Sequence, residues 1–380
     1  MIEGSAAASG PSPRTPRGRR TAFSRRSVVV GVALGAVATT AAALRGDPPE
    51  PGVVKDGVPR PVRPADVLTP WGRLPATAQT GSGVAVSPGG DVFLLHRGGA
   101  PFAADAVLDV DAVVRLDAAT GRTVGTWGSG LFKSPHGIST DAEGRVWVTD
   151  VMTNRVTVHR ADGTLLKTIG HDYAAGLDTC LAVRNALQHL PCTGDPYIFA
   201  RPTDVAVGPD GRAYVSDGYR NSRVARYAPD GSFLRQWGSR GAADGRFNIP
   251  HGITHLPDGT LAVADRRNAR VQIFTAAGAH RATYASPQLG RPYDVATGPD
   301  GALYVLDGGD GLDEKGGQRR GYVVTIDRKG IVTRRWALTD QRADPHQLAV
   351  GPRGEIYVAA LQGPPLWRWK PGGVGTGRRA

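Results

Sequence analysis

The feature that most constrains this chain is a unit repeated six times beyond residue 80. The copies span residues 82–96, 135–150, 202–217, 250–265, 292–307 and 345–360. Each reads as an apolar run, a turn of the Pro-Asp-Gly kind, and a second apolar run. The proline fixes φ and the glycine supplies the φ > 0 position of a tight hairpin. Two further strands follow, as at 155–160 and 165–169 around the turn Asp162-Gly163, and the same continuation recurs at 223–237 and 270–284. Four short strands per unit, at a spacing of about 40–50 residues, predict the blades of a propeller. Six units predict an all-β, six-bladed β-propeller over residues 66–372. The last copy stops after its third strand, near Trp367-Arg368-Trp369-Lys370, so a strand at about 67–74 is expected to complete that blade and close the ring. The period-2 pattern excludes a helical solenoid.

Composition agrees with short strands and many turns: the 380 residues include 52 Gly and 29 Pro. The net charge of +12 is unevenly spread. Residues 1–46 hold seven arginines (14, 17, 19, 20, 25, 26 and 45) against one acid, Glu3, which is +6 of the total. The remaining basic residues alternate with acids and form no basic stripe, which argues against nucleic acid as a partner. Residues 1–46 instead read as an export signal: a basic stretch, then an uncharged run from Val28 to Ala43 ending in Ala41-Ala42-Ala43. Ser24-Arg25-Arg26-Ser27-Val28-Val29 resembles a twin-arginine signal. The protein is therefore expected outside the cytoplasm, secreted or, where the signal stays uncleaved, membrane-anchored. Residues 47–65 read as a Pro/Gly-rich linker and 373–380 as a tail. Cys180 and Cys192 are the only cysteines and are expected to close a disulfide in that compartment.

One repeat position carries chemistry. The residue after the strand-opening proline is histidine in copies two, four and six (His136, His251, His346). Ser82 occupies the matching position in copy one, and Thr203 and Tyr293 follow the proline in copies three and five. Equivalent positions on alternate units of a six-fold ring lie 120° apart, so three imidazoles facing the channel converge. Neutral imidazoles suit zinc, and three protein ligands leave coordination positions open for water or substrate. The other six histidines show no such symmetry. Arg97 follows the second strand of copy one and Arg266 holds the same place in copy four. Two guanidiniums facing a metal would hold a carboxylate. Tyr219 sits one residue further on in copy three, and a dication and two arginines would favour its ionisation, fitting it to act as a base.

The repeats resemble NHL repeats over residues 82–372. More specifically, Leu95-His96-Arg97-Gly98-Gly99, Ser134-Pro135-His136-Gly137-Ile138, Val146-Trp147-Val148-Thr149-Asp150-Val151 and the run from 201 to 270 resemble peptidyl-α-hydroxyglycine α-amidating lyases. That resemblance implies zinc on His136, His251 and His346, the lyase tyrosine at Tyr219, and active-site arginines at Arg97 and Arg266. It implies cleavage of the C–N bond of a carbinolamide to an amide and glyoxylate, on a small-molecule or peptide substrate with a C-terminal carboxylate. It also implies a structural Ca²⁺ on the backbone carbonyls of Val84 and Ile138 together with an aspartate. Gln347 stands where that aspartate would be, and a neutral amide oxygen weakens such a site. Asp344 and Arg220 stand where the family has a methionine and a cysteine, and the insertion 171–200 reads as a cover for the channel mouth. The alternative reading is a non-catalytic NHL propeller that binds protein or glycan at the cell surface. Such a module needs neither histidines on alternate units nor the arginines and tyrosine beside them.

Overall fold

The computed structural model describes residues 63, 66–171, 173, 175–184, 192, 195–309, 321–340 and 342–372. The predicted export signal, the tail and, apart from Arg63, the predicted linker lie outside the described residues. The chain opens with β1 (Val67–Pro70). The first repeat forms β2 (Gly81–Val86), β3 (Val92–His96), β4 (Val113–Leu116) and β5 (Thr123–Trp127). The second forms β6 (Pro135–Thr140), β7 (Val146–Asp150), β8 (Arg155–His159) and β9 (Leu165–Ile169), followed by helix α1 (Ala175–Arg184). The third contributes β10 (Asp204–Val207), β11 (Ala213–Asp217), β12 (Arg223–Tyr227) and β13 (Phe233–Trp237). The fourth contributes β14 (Pro250–His255), β15 (Thr260–Asp265), β16 (Arg270–Thr275) and β17 (His280–Tyr284). The fifth holds β18 (Pro292–Thr297), β19 (Leu303–Asp307), β20 (Tyr322–Ile326) and β21 (Val332–Leu338), and the last holds β22 (Pro345–Val350), β23 (Ile356–Ala360) and β24 (Leu366–Trp369).

The fold is an all-β propeller, but its hydrogen-bonded sheets number five among the described residues, not the six separate blades expected. The first four repeats each make a four-stranded antiparallel sheet, while the fifth and sixth belong to one eight-stranded sheet. β1 is the cause. It pairs parallel with β21 (Val67↔Ala337, Leu68↔Leu338) and then antiparallel with β24 (Thr69↔Arg368, Pro70↔Trp367). One strand thus uses both edges and fuses two sheets. The expected strand at 67–74 is present but ends at Pro70, with one further backbone bond to β24 from Trp71 N–H to Leu366 O at 2.9 Å.

Burial grades from the channel outward. First strands such as β6 and β14 are buried for most of their length, whereas the outermost β9 and β13 are largely exposed. Successive first strands touch in turn, β2 with β6, β6 with β10, β10 with β14, β14 with β18, β18 with β22 and β22 with β2. Apolar clusters fill the spaces between neighbouring units. One joins Trp147, Val156 and Val158 to Val205, Val215 and Tyr227; another joins Phe93 and Leu95 to Ile138 and Val148. The aspartates that end the second strands fasten the chain ahead of the first strand of their own repeat. Asp150 accepts the N–H groups of Lys133 and Ser134, and Asp265 accepts that of Asn248 while pairing with Arg270 at 2.7 Å. They are structural, as turn-bonding aspartates are expected to be. No helix among the described residues is long and apolar enough to cross a membrane.

Candidate metal centre

His136, His251 and His346 are the second residues of β6, β14 and β22, and all three are buried. Each sits at a register shift between its strand and the next, at 135/137, 250/253 and 345/347. A bulge leaves a residue out of the ladder and re-aims its side chain. Here the three side chains turn to one another. Their ring centroids lie 4.6–5.0 Å apart, and one ligand nitrogen from each falls within 4.8 Å of the others.

The odd-numbered repeats complete the arrangement. His136 Nδ1 bonds Thr203 O at 2.7 Å, His251 Nδ1 bonds Tyr293 O at 2.7 Å, and His346 Nδ1 bonds Ser82 O at 2.6 Å. Each imidazole therefore leans on the carbonyl at the same repeat position of the next unit. A carbonyl only accepts, so Nδ1 carries the proton and Nε2 keeps its lone pair, the orientation that metal-binding histidines adopt. Burial pushes the His136 pKa down to about 3, with Arg97 and Arg266 adding to the shift. Burial lowers His251 and His346 too, and the neighbouring histidines reinforce it. Three neutral nitrogens on one point are a donor set that fits zinc.

Tyr219 lies over this group. Its hydroxyl is 3.0 Å from His136 Nε2 and 3.4 Å from His251 Nε2. Burial raises its pKa, and the charges of Arg266 and Arg97 pull it back. Arg97 is buried, with its guanidinium against Pro135 O at 3.4 Å. Arg266 stacks on Tyr293, its Cζ 3.8 Å from the ring centroid, and hydrogen-bonds that tyrosine's hydroxyl. Val84 and Ile138 lie apart on Gln347, while the three histidines, Tyr219, Arg97 and Arg266 thus gather at one place. The insertion lies beside them. Asp178 on α1 pairs with Arg220, next to Tyr219, while Cys180 and Cys192 are bonded with Cα atoms 5.8 Å apart.

The donor set expected for calcium does not fit that ion. Gln347 Oε1 accepts the N–H groups of Val84 (3.1 Å) and Ile138 (3.2 Å), and its Nε2 donates to Asp204 Oδ1 at 3.0 Å. The amide oxygen is spent on N–H donors from the two residues whose carbonyls were expected to bind the ion. Asp204 and Asp294 accept N–H groups of Ile253 and Leu348 in the same way. Gly83, Gly137 and Gly252 leave the space: a Cβ there would meet Gln347 Oε1 at 2.4 Å, Thr203 O at 2.4 Å and Asp294 Oδ1 at 2.0 Å. Below the histidines the channel is thus plugged by three polar side chains, with a cavity of ≈ 10 Å³ between the layers.

Sequence reasoning missed three residues. Tyr293 occupied the histidine position of its repeat but had not been connected with Arg266. Arg201, at φ 62, is part-buried and its charge bears on the Tyr219 phenol. Phe102 lies in a segment without a repeat counterpart, with its ring 5.2 Å from Tyr219 and 6.2 Å from His136.

The fold and site define a class: a β-propeller with three histidines meeting on its axis. The NHL-repeat pattern matches residues 199–227 and 247–274. The chain is 32% identical over 270 residues to peptidyl-alpha-hydroxyglycine alpha-amidating lyase 1 of Drosophila melanogaster, covering 66% of this chain and 47% of that one. It is 29% identical over 316 residues to peptidyl-glycine alpha-amidating monooxygenase B of Xenopus laevis, covering 76% of this chain and 34% of that one. The chain therefore spans less than half the length of either relative. Among solved structures, a streptogramin B lyase superposes with a TM-score of 0.52 at 14% identity, over 79% of this chain and 96% of that one. A gluconolactonase of Xanthomonas campestris gives 0.53 at 18%, over 81% and 98%. These two speak for the propeller fold alone. By repeat and by sequence, the chain is similar to NHL-repeat proteins and to the amidating lyases.

Proposed function

We propose that this chain is an exported, metal-dependent lyase that splits the C–N bond of an α-hydroxyglycine carbinolamide, releasing an amide and glyoxylate. The observation that carries the reading is the convergence of three Nε2 atoms whose Nδ1 partners are all backbone carbonyls. His136, His251 and His346 would hold zinc, which when bound supplies Lewis acidity toward a hydroxyl oxygen. Arg97 and Arg266 orient the substrate carboxylate. Tyr219 Oη, ionised when a dication, Arg97 and Arg266 lie beside it, takes the proton of the carbinol hydroxyl. The O–H electron pair becomes the new C=O bond, the C–N bond breaks, and Tyr219 returns that proton to the departing nitrogen to form the amide. The plug of Gln347, Asp204 and Asp294 leaves the Tyr219 side as the way in and keeps water from the far end of the channel.

The fold reading that accompanies this is a ring of six units with β1 as the fourth strand of the last, supported by the pairing of β1 with β24. Residues 1–46 are proposed as the signal that exports it, and substrate as its partner in place of nucleic acid. Metal analysis of purified protein with a glyoxylate-release assay on an α-hydroxyglycine peptide tests the reading. About one zinc per chain and glyoxylate release are expected; metal with no glyoxylate removes the lyase assignment. His251→Ala is expected to lose the metal while the circular dichroism of the fold survives, and retained stoichiometric metal refutes the ligand set.

A further inference from the structure

Phe102 is anomalous for a residue beside a buried centre. It is 44% exposed, and yet it packs on both Tyr219 and His136. It is also held. Ala103 adopts φ 60, its N–H bonds the buried Ser134 Oγ at 3.1 Å, and Ala104 N–H bonds Pro101 O at 3.3 Å. Ser134 precedes Pro135-His136, so one hydrogen bond ties the Phe102 turn to a metal-ligand strand. A non-glycine residue at positive φ is strained, and such strain persists where surrounding structure enforces it. The enforced outcome is an aromatic face left bare to solvent above the candidate base.

The neighbouring charge says what that face is for. Arg97 Cζ lies 5.9 Å from the Phe102 ring centroid. A ligand whose carboxylate reaches Arg97 must carry its next few atoms past this ring. We propose that Phe102 determines specificity by seating the group on the acyl side of the scissile bond. The substrate class is then an N-acyl or peptidyl α-hydroxyglycine whose acyl group, or residue before the hydroxyglycine, is aromatic or bulky and apolar. This deepens the lyase reading and rests on it. Phe102 moves no proton and holds no metal; it covers apolar substrate surface and shields Tyr219 from water.

Two measurements test the idea separately from the lyase reading. In the first, kcat and KM are compared for N-benzoyl- and N-acetyl-α-hydroxyglycine in wild type and Phe102→Ala. Wild type is expected to favour the benzoyl compound by about tenfold in kcat/KM, what burying roughly one ring face yields. Phe102→Ala is expected to bring the two within about twofold, mainly by raising the benzoyl KM, with metal content unchanged. Phe102→Leu should recover part of the preference. In the second, calorimetry compares the binding of N-benzoylglycine and N-acetylglycine, which need no turnover. A preference equal in wild type and Phe102→Ala, or absent from wild type, overturns the proposal. If neither hydroxyglycine is turned over, the lyase reading falls, and the binding ratio alone decides whether Phe102 forms an apolar subsite.

Discussion

At the scale of single residues, the site is a set of buried groups whose protons are assigned by their neighbours. The histidines are neutral because they are desolvated, and Nδ1 is the nitrogen that keeps its proton because it faces a carbonyl. Tyr219 is the group left to move a proton. Tyr219→Phe keeps the ring and its packing, so metal content should be unchanged while kcat for glyoxylate release falls roughly 10²–10⁴-fold. A variant with full activity would remove Tyr219 from the chemistry. Asp294 offers a test of the plug. Burial, then the nearby Asp204, raises its pKa well above 3.8, and burial lifts Asp204 itself to about 7. A raised folded pKa gives stability that is complete below the unfolded value and is lost as pH climbs through the folded one. Asp294→Asn cannot ionise and escapes that loss. Its melting temperature relative to wild type should therefore rise between pH 5 and pH 8; a difference that does not change with pH sinks the claim.

At the scale of elements, what was legible in the sequence was whatever the repeat enforces. The turn chemistry marked the hairpins, and histidine at one repeat position on alternate copies marked the three imidazoles that meet. What turns the histidines toward one another was not legible, because it depends on a register shift at each of them and on the carbonyl of the next unit, which Ser82, Thr203 and Tyr293 supply from backbone and not side chain. Phe102 escaped because it lies between repeat motifs, and Arg201 because it stands just before one, at a place where only the fifth copy also has an arginine, Arg291. The Tyr219 turn also has a hidden constraint. Gly218 packs so closely that a Cβ would sit 1.9 Å from Pro250 O, the residue before His251. Gly218→Ala must separate the β11–β12 turn from β14. It should cost about 1–3 kcal/mol in denaturant unfolding and lower kcat by moving Tyr219 off the histidines. An unchanged kcat would mean that the turn does not set the position of the phenol.

At the scale of the whole molecule, the interior of the channel is closed by side chains. Gln347, Asp204 and Asp294 bridge the first strands of different units where a cation would otherwise draw carbonyls together. A calcium chelator should therefore leave the melting temperature unchanged, and a loss of more than a few degrees would mean that an ion does sit in the plug. Deletion of β1 is the opposite case. A chain starting at Trp71 loses the strand that both β21 and β24 bond, and should melt at markedly lower temperature and less cooperatively than the full chain.

That shared strand also sets a schedule. β1 is among the first described segments to leave the ribosome, and its partners Ala337 and Arg368 are among the last. Until they emerge, Val67 to Pro70 has exposed donors and acceptors on both sides, open to pairing with the wrong edge. β1 can be paired on both edges only after β24 has emerged, so completion of this sheet waits on the sixth repeat and not on the first.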